Sequence, residues 1–231
     1  MKYMVAGSKI EIDTDKKPFS KGSEGKVFLK NGTLYKIYYE NALNEGFGDK
    51  LRYHSYLSSL TSNQIDLPND LIFDNHGNYV GYTTTPITRK TSQQKYRGIT
   101  LLPKDILMNN LEILLKDIKN LTDNFILLND VTILNFILQN EKMHIIDPGR
   151  YRIVSEKEEE ENIGQFKNLL SSLIYLDLKY DKVDKIKKIQ TFRSIFNEQL
   201  LSSSLLEFFD KELDGYNNVS EYAKERIRYI K

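Results

Sequence analysis

The chain has 231 residues, enough for a sizeable hydrophobic core in one large domain or in two small lobes. Its formal charge of +1 and sequence pI of about 7.7 argue against a dedicated nucleic-acid-binding protein, because basic and acidic residues are intermixed. It has no cysteine and only three well-separated histidines, which excludes a disulfide framework and disfavours a zinc site or a Ser-His-Asp triad.

The first part of the chain is rich in strand signals. Residues 9–14, "KIEIDT", alternate in the manner of a half-buried strand. Residues 26–39 predict a hairpin, because two strand-like runs flank Asn31-Gly32, a pair suited to a type I′ turn. A second hairpin is predicted over residues 70–87. A short helix is predicted between the hairpins, with an apolar face of Leu51, Tyr53, Leu57 and Leu60.

The pattern changes after a linker predicted over residues 88–102. From Pro103 the spacing predicts a long helix with a wide apolar stripe. The members of that stripe are Ile106, Leu107, Leu111, Leu114, Leu115, Ile118 and Leu121. Two short strands are predicted at residues 136–138 and 143–146, and helices from about Asn162 onward, where "EKEEEE" gives negative charge to a helix start. The fold class is therefore α+β, with a β-rich lobe at 1–87 and a helical lobe at 103–231.

Three small polar side chains flank the two short strands of the second lobe. Asp130 and Asn135 precede the first of them, and Asp147 follows the second. We expect these side chains to meet at one end of the strand-loop-strand unit. Carboxylate and amide oxygens of this kind suit Mg²⁺, which takes a few protein oxygens together with substrate phosphates. The bland alternative for each aspartate is a turn residue.

The β-rich lobe has residues suited to phosphate groups. Gly22 and Gly25 in "SKGSEGKVF" lie between two strands, where backbone N–H groups can approach a phosphate without an intervening Cβ. Lys36 follows on the next strand among apolar and aromatic neighbours, and we expect it to contact phosphate oxygens. The alternatives are an ordinary loop and a solvated lysine.

Taken in order, these motifs resemble the protein-kinase-like superfamily. That family has a G-x-G-x-x-G-x-V loop, a lysine on the third strand, D-x-x-x-x-N in a catalytic loop, and D-F-G. The chain has S-x-G-x-x-G-x-V ending at Val27, then Lys36, "DVTILN" from Asp130 to Asn135, and "DPG" from Asp147. The resemblance covers most of the chain and implies a two-lobed kinase-like fold, with a small β-rich N-lobe, a hinge at 88–102 and a larger helical C-lobe.

The resemblance also implies roles for single residues. Lys36 would act in catalysis on the α- and β-phosphates of ATP, and Asp130 would accept or orient the proton of the attacking hydroxyl. Asn135 and Asp147 would hold Mg²⁺. The remaining nucleotide contacts implied are Gly22, Ser23, Gly25, Val27, Thr85, Ile87 and Ile137. Val27 and Ile137 would enclose the adenine, and residues 84–87 would meet its edge.

Departures from the family pattern bear on regulation and on the acceptor. Leu128-Asn129 stand where His-Arg precedes the catalytic aspartate, so control by activation-loop phosphorylation is not expected. Pro148 replaces the D-F-G phenylalanine, and Thr132 stands at a frequent lysine position. The segment after Gly149 is short and has no A-P-E motif. Glu40, Glu45 and Asp49 are candidates for the carboxylate that pairs with Lys36, the latter two ranked first.

The resulting expectation is a bacterial-type, ATP- and Mg²⁺-dependent kinase acting on a hydroxyl, with a protein Ser/Thr acceptor ranked first and a small molecule second. Three alternatives stay open: a pseudokinase that binds nucleotide or a partner, a small-molecule kinase, and a nucleotidyltransferase. Neither nucleic acid nor membrane is an expected partner. No secretory signal or apolar run of about 20 residues is evident, so a cytoplasmic location is expected. A secreted effector is compatible with the same sequence.

Overall fold

The computed structural model describes residues 2–44, 49–87, 97–177 and 183–229. The protein is α+β, with an antiparallel sheet in its N-terminal part and helices in its C-terminal part. The chain forms two compact units. The first comprises Met1–Ser62, Asp66–Ile87 and Asp147–Ile153, and the second comprises Asn63–Ile65, Thr88–Ile146 and Val154–Lys231. The first unit thus runs to Ile87, where the sequence placed the end of the β-rich lobe, and it also takes up the segment that begins at Asp147.

A seven-stranded antiparallel sheet forms most of the first unit, in the order β2-β1-β6-β7-β5-β4-β3. Its strands are β1 (Lys2–Val5), β2 (Ser8–Glu11), β3 (Ser20–Lys21), β4 (Gly25–Lys30), β5 (Thr33–Tyr38), β6 (Leu71–Phe73) and β7 (Tyr79–Thr84). The same unit contains α1 (Glu40–Asn44) and α2 (Lys50–Leu57).

The two predicted hairpins are confirmed. Strands β4 and β5 pair up to Lys30 and Thr33, which leaves Asn31-Gly32 as a two-residue turn with both φ angles positive, at 49° and 74°. Strands β6 and β7 form the second hairpin. The strand predicted over residues 9–14 is shorter and ends at Glu11, and its partner β1 was not predicted from the sequence.

The two faces of β5 carry different side chains. Because neighbouring residues of a strand point to opposite faces, Tyr35 and Ile37 lie on one side of the sheet and Lys36 and Tyr38 on the other. The first side carries an apolar cluster of Tyr3, Val5, Ile12, Phe28, Tyr35 and Ile72. On the second side Tyr38 packs with Ala42 and Tyr82. Lys36 therefore lies on a face that is lined by tyrosines.

The helix between the hairpins is present, and Leu57 of its predicted face is buried, but the rest of the buried side differs from the prediction. The side of α2 that is buried carries Lys50, His54 and Leu57, whereas Leu51 is 39% exposed. These positions follow the helical spacing i, i+4, i+7 just as well as the predicted apolar set does. Burial of Lys50 and His54 becomes possible because both find polar partners inside the first unit.

The second unit is mainly helical. Its elements are α3 (Arg97–Thr100), α4 (Lys104–Asp123), β8 (Ile126–Leu127), β9 (Phe136–Gln139), β10 (Lys142–Ile145), α5 (Glu159–Asp177), α6 (Val183–Ser202), α7 (Leu205–Glu212) and α8 (Val219–Tyr229). The last strand, β11 (Arg152–Ile153), belongs to the first unit. Helix α5 packs against α3, α4, α6 and α8, and α4 also packs against α7.

The helices and strands predicted in the second unit are confirmed in type. The helix predicted from Pro103 is α4, and Leu107, Leu111, Leu114, Ile118 and Leu121 of its stripe are buried. The two short strands form the hairpin β9–β10. Helix α5 begins with three glutamates in its first turn, as the acidic run indicated. Helix α3 lies in the predicted linker, whose residues 88–96 are outside the described part of the chain.

Two buried polar residues of α4 hold loop segments of the second unit. The Asp117 carboxylate accepts hydrogen bonds from the backbone N–H groups of Asn63 and Gln64, at 2.8 and 2.6 Å. The Asn110 side chain accepts from the Met143 N–H at 2.9 Å. These bonds satisfy backbone donors that would otherwise be buried without partners. Over the described residues, no helix is both long and apolar enough to cross a membrane.

Gly25 permits the close approach of β4 to β5, which generates a stability prediction. A Cβ atom added at Gly25 would lie 2.3 Å from the Ile37 carbonyl oxygen, whereas one added at Gly22 meets nothing within 4 Å. We expect Gly25→Ala to lower the free energy of unfolding by about 2 kcal/mol. Gly22→Ala, the matched control in the same loop, should stay within about 0.5 kcal/mol of wild type. Urea denaturation measures both, and equal effects would contradict the proposed contact.

Candidate functional site

Lys36 and Asp147 form an ion pair inside the first unit. The Lys36 ammonium contacts Asp147 Oδ1, although the two residues are 111 positions apart in the chain. The Lys36 side chain is only 11% exposed, so it is not a solvated strand lysine. Its Nζ atom lies 5.2 Å from the ring centroid of Tyr38 and 5.7 Å from that of Tyr82. The sheet face thus supplies aromatic rings to this cation, and the segment that begins at Asp147 supplies the carboxylate.

The backbone at Asp147 is unusual for a residue with a side chain. Its φ of 65° and ψ of 68° lie in the left-handed region, and it precedes a 3₁₀ turn over Pro148–Arg150. Such a conformation costs on the order of 1 kcal/mol and clusters at functional sites. Gly149 then passes close to the ion pair, because a Cβ there would lie 2.9 Å from Lys36 Nζ and 3.2 Å from Asp147 Oδ1. A side chain at position 149 would therefore displace the Lys36 ammonium.

The Asp147 carboxylate stays ionised in this environment. Burial raises its pKa, but the positive charge and hydrogen bond of Lys36 lower it, and so do hydrogen bonds from the Tyr82 hydroxyl and the Gly149 N–H. The net result is a pKa below the usual value for aspartate. The Tyr82 hydroxyl donates to Oδ1 at 3.2 Å. The Asp147 side chain is nevertheless 40% exposed, so a ligand can reach it.

Glu24 is the second carboxylate beside Lys36, and it was not singled out from the sequence. Its Oε2 atom lies 3.7 Å from Lys36 Nζ, and its Oε1 atom lies 3.1 Å from Lys50 Nζ and 3.5 Å from Arg150 Nε. We call Glu24, Lys36, Lys50, Asp147 and Arg150 the charge cluster. Three cations and two anions thus lie together on this side of the sheet.

The sequence suggested Glu40, Glu45 and Asp49 as carboxylates that pair with Lys36. The structure describes two of them, and neither pairs with it. Glu40 is exposed at the start of α1. Asp49 is exposed as well, and its carboxylate caps α2 by accepting from the Arg52 N–H at 2.9 Å. Glu45 lies outside the described residues. Among the three, those that the structure describes therefore make no contact with Lys36.

His54 is a buried neutral residue next to the charge cluster. Burial lowers its pKa to about 3, and the charges of Lys36 and Lys50 act in the same direction. Its Nδ1 atom contacts the Tyr79 hydroxyl, and a ring N–H donates to the Pro148 carbonyl. The ring is stacked on Tyr38, with ring centroids 5.9 Å apart. His54 therefore connects α2 to the backbone of the residue that follows Asp147.

A third carboxyl group in the first unit lies near Asp147 and titrates near neutral pH. Burial raises the pKa of Asp66 to about 7, and the negative charge of Asp147 contributes to the rise, whereas a hydrogen bond from the Thr84 side chain opposes it. Asp66 is thus partly protonated at pH 7. No pattern in the sequence distinguishes it from an ordinary loop aspartate.

The other predicted nucleotide contacts of the first unit differ in exposure. Gly22 and Ser23 are exposed on the loop between β3 and β4, whereas Gly25 is buried in the sheet and is explained by strand packing. Val27 is half-buried and is the register partner of Lys36. At the end of β7, Thr85 is exposed and accepts a hydrogen bond from the Asn69 side chain at 3.3 Å, and Ile87 is half-buried.

Asp130 and Asn135 lie together in the second unit. The Asn135 amide nitrogen donates to the Asp130 carbonyl oxygen at 2.9 Å, and the Asp130 side chain is exposed. Asp130 has a positive φ of 60°, outside any hairpin turn. The Ile146 N–H donates to the Asn135 carbonyl at 2.8 Å, which ties this loop to the end of β10. Ile137 is buried on β9 as the partner of His144.

The residues on either side of Asp130 have structural roles of their own. Leu128 is buried, and its N–H donates to the Asn162 side chain at 2.8 Å. The Asn129 amide nitrogen is buried and has no hydrogen-bond partner among the residues described. Thr132 is exposed, and its N–H donates to the Asp130 carbonyl at 2.8 Å. A donor without a partner next to Asp130 is compatible with a polar ligand or water at this loop.

Metal binding by protein side chains alone is not indicated. Within the described ranges, no group of three or more His, Cys, Asp or Glu residues is arranged to hold a metal ion. Mg²⁺ commonly uses one or two carboxylates together with phosphate oxygens, so such a group is not required. The Asp147 carboxylate and the Asn135 amide oxygen are the types of ligand that this ion takes.

Two of the residues missed from the sequence had a usable signal. Lys50 and His54 are four positions apart and share a face with Leu57, so their spacing is compatible with burial. Tyr82 lies on a strand that was predicted, but strand periodicity does not identify its hydroxyl contact. Glu24 gave no signal, because a glutamate between serine and glycine is typical of a solvated loop.

The neutral state of His54 generates a prediction about pH. The unfolded chain binds a proton at His54 near pH 6.5, whereas the folded chain does so only near pH 3, so stability falls as the pH drops below about 6.5. We expect wild type to lose about 2 kcal/mol more unfolding free energy than His54→Gln between pH 7 and pH 5. Asp66 changes stability in the opposite direction, but it is present in both proteins and cancels.

The matched control for this comparison is His76→Gln. His76 is exposed in the β6–β7 turn, so this variant should follow the wild-type pH profile. Urea denaturation at a series of pH values measures all three proteins. Parallel profiles for His54→Gln and wild type would show that His54 is not held neutral.

The chain was compared with models of protein families and with curated protein sequences. It matches no model of a known protein family, and no curated protein sequence matches it. A kinase-like function is therefore argued from the order of the motifs and from the contacts within each unit.

Proposed function

We propose that this protein is a Mg·ATP-dependent phosphotransferase of the protein-kinase-like fold, which moves the γ-phosphoryl group of ATP to a hydroxyl. The observation that carries the proposal is the Lys36–Asp147 ion pair on one face of the sheet. The protein-kinase-like fold uses a strand lysine for phosphates and the aspartate of D-F-G for metal, and Asp147 stands at the position of that aspartate in "DPG". Their long separation in the chain argues against a local, accidental pairing.

Each residue has a role in the proposed reaction. Lys36 would hold the α- and β-phosphate oxygens of the nucleotide, and Asp147 and Asn135 carry the oxygen ligands that the resemblance assigns to Mg²⁺. Bound Mg²⁺ supplies charge neutralisation for the phosphates. Asp130 receives or orients the proton of the acceptor hydroxyl. Catalysis of this kind depends on positioning and electrostatic stabilisation, without a covalent enzyme intermediate.

The nucleotide contacts are assigned on the same basis. Exposed Gly22 and Ser23 have room to lie over phosphates, and half-buried Val27 shares the register position of Lys36. Thr85, Ile87 and Ile137 keep the adenine roles that the resemblance implies. Gly25 serves mainly to bring β4 close to β5, so its contribution to the nucleotide site is indirect.

The acceptor is proposed as a protein serine or threonine, ahead of a small-molecule hydroxyl. The ranking follows the family resemblance, and the short segment between Gly149 and α5 limits the platform for an extended peptide. Thr132 in place of a lysine removes a charge beside the transferred group. We expect the enzyme to be bacterial and cytoplasmic.

A second candidate function is a nucleotide-binding module without turnover. It is favoured by the polarity of α2, which presents Lys50 rather than a carboxylate to the charge cluster. A nucleotidyltransferase would use the same groups with ATP reversed. ATP labelled at the γ- or at the α-phosphorus distinguishes these activities, because each activity transfers a different phosphate.

The first experiment incubates the protein with Mg²⁺ and ATP labelled at the γ- or the α-phosphorus, with protein acceptors and a panel of aminoglycosides. We expect γ-label transfer that falls at least about 100-fold in Asp147→Asn and in Lys36→Met. Asparagine tolerates the left-handed backbone at 147, so the variant isolates the charge. Asp70→Asn and Lys26→Met are the controls, because Asp70 is exposed and Lys26 neighbours Val27 on β4 with its side chain on the other face.

The labelled product separates the candidate functions. Transfer of the α-label would identify nucleotidylation. Protection of the protein against melting by Mg·ATP, without transfer of either label, would support the binding module. If there is neither transfer nor protection, no nucleotide site exists and the proposal is wrong.

Asp130 provides a separate test of turnover. We expect Asp130→Asn to lower the transfer rate by roughly 100- to 10,000-fold, while the affinity for Mg·ATP stays close to that of wild type. Asp214→Asn, another exposed aspartate of the second unit, should retain the wild-type rate. Calorimetry gives the affinity, and initial-rate kinetics give the turnover. An active Asp130→Asn variant would remove this residue from the mechanism.

A further inference from the structure

Glu24 is surrounded by cations from three separate parts of the first unit. Lys36 comes from β5, Lys50 from the first turn of α2, and Arg150 from the turn after Asp147. The Glu24 side chain is 16% exposed, and all three contacts are 3.7 Å or shorter. A carboxylate with so many charged partners has little freedom to turn to solvent.

The loop backbone fixes the base of this side chain. The Glu24 carbonyl accepts a hydrogen bond from the Tyr39 N–H at 2.8 Å, just beyond the end of β5. The Gly22 N–H donates to the Gly25 carbonyl at 3.0 Å, which closes the loop. The carboxylate therefore extends from a held backbone toward Lys36.

Lys50 explains why the carboxylate comes from the loop. Its side chain is 4% exposed, and a lysine this deeply buried requires a counterion. Glu24 Oε1 lies 3.1 Å from its ammonium, and the Tyr38 ring centroid lies 4.3 Å away. In the family pattern, a glutamate on the helix pairs with the strand lysine. Here the helix carries the cation and the loop carries the anion.

We propose that Glu24 is the positioning residue for Lys36 and that Lys50 and Arg150 hold Glu24 in place. This inference rests on the proposed phosphotransferase function and names the residue that positions its lysine. If the Asp147 carboxylate were engaged by Mg²⁺, Glu24 would remain as the anion that keeps the Lys36 ammonium in position. Because Glu24 belongs to the loop beside the phosphates, the alignment of Lys36 depends on the position of that loop.

A purely structural role is the competing explanation, in which Glu24 only neutralises buried Lys50. Two double variants distinguish the explanations. Glu24→Gln with Lys50→Met removes both charges and leaves no unpaired lysine on α2. Glu24→Gln with Lys50→Glu moves the carboxylate from the loop to the helix, at the position whose side chain now ends 3.1 Å from Glu24 Oε1.

The experiment measures melting temperature and steady-state kinetics for each variant. Glu24→Gln alone should lower the melting temperature by roughly 10 °C and kcat by about 100-fold, with a smaller change in KM for Mg·ATP. The neutral double variant should recover the melting temperature and remain about 100-fold slow. The Lys50→Glu double variant should regain at least about tenfold in kcat over Glu24→Gln. Glu11→Gln, an exposed acid on β2, is the control and should match wild type.

The outcomes separate this inference from the proposed function. If wild type transfers γ-label and the neutral double variant is as fast as wild type, Glu24 has no positioning role and only this inference fails. If no variant recovers kcat when a carboxylate is placed at position 50, the inference fails as well. If wild type transfers no label, the phosphotransferase proposal itself is wrong, and the positioning role falls with it.

Discussion

The pairing of one buried lysine with a carboxylate from a distant segment determines the arrangement of the first unit. Lys36 lies on a sheet face lined by tyrosine rings, where an unpaired ammonium would be costly. The chain resolves this by bringing residues 147–153 back to the sheet after more than 100 intervening positions. At this point the backbone of Asp147 is left-handed, and Gly149 has no side chain that would crowd the ion pair.

The tyrosines and His54 complete this environment without adding charge. Burial raises the pKa of Tyr82 and Tyr38 well above the ordinary value for tyrosine, and the nearby carboxylates act in the same direction. Both hydroxyls therefore remain protonated, and Tyr82 donates to Asp147. His54 stays neutral and bonds to the Pro148 carbonyl. The charged groups are thus held by neutral donors and aromatic faces. The tyrosines and His54 add no charge to the five members of the charge cluster.

Sequence reasoning succeeded where a local rule determines structure. The Asn31-Gly32 turn, the stripe of α4 and the acidic start of α5 are each specified by residues that are close together in the chain. The order of the motifs suggested that Lys36 and Asp147 serve the same nucleotide, but their long-range ion pair was not predicted, and a helix carboxylate was expected beside Lys36 instead. The prediction for α2 was wrong because it assumed that the buried side is the apolar one. The spacing of Lys50 and His54 permits their burial, but it does not reveal the partners on other elements that make the burial of these polar side chains possible.

The opposite charges of Glu24 and Lys50 restrict which substitutions related chains can have at these two positions. The loop and the helix contribute opposite signs to one small volume, and what Lys36 requires is a nearby carboxylate, whichever segment supplies it. A change at position 24 alone leaves a buried cation without its anion, and an acidic residue at position 50 alone places two carboxylates side by side. In any set of related chains, positions 24 and 50 would therefore vary together. An acidic residue would occupy one of the two positions but not both.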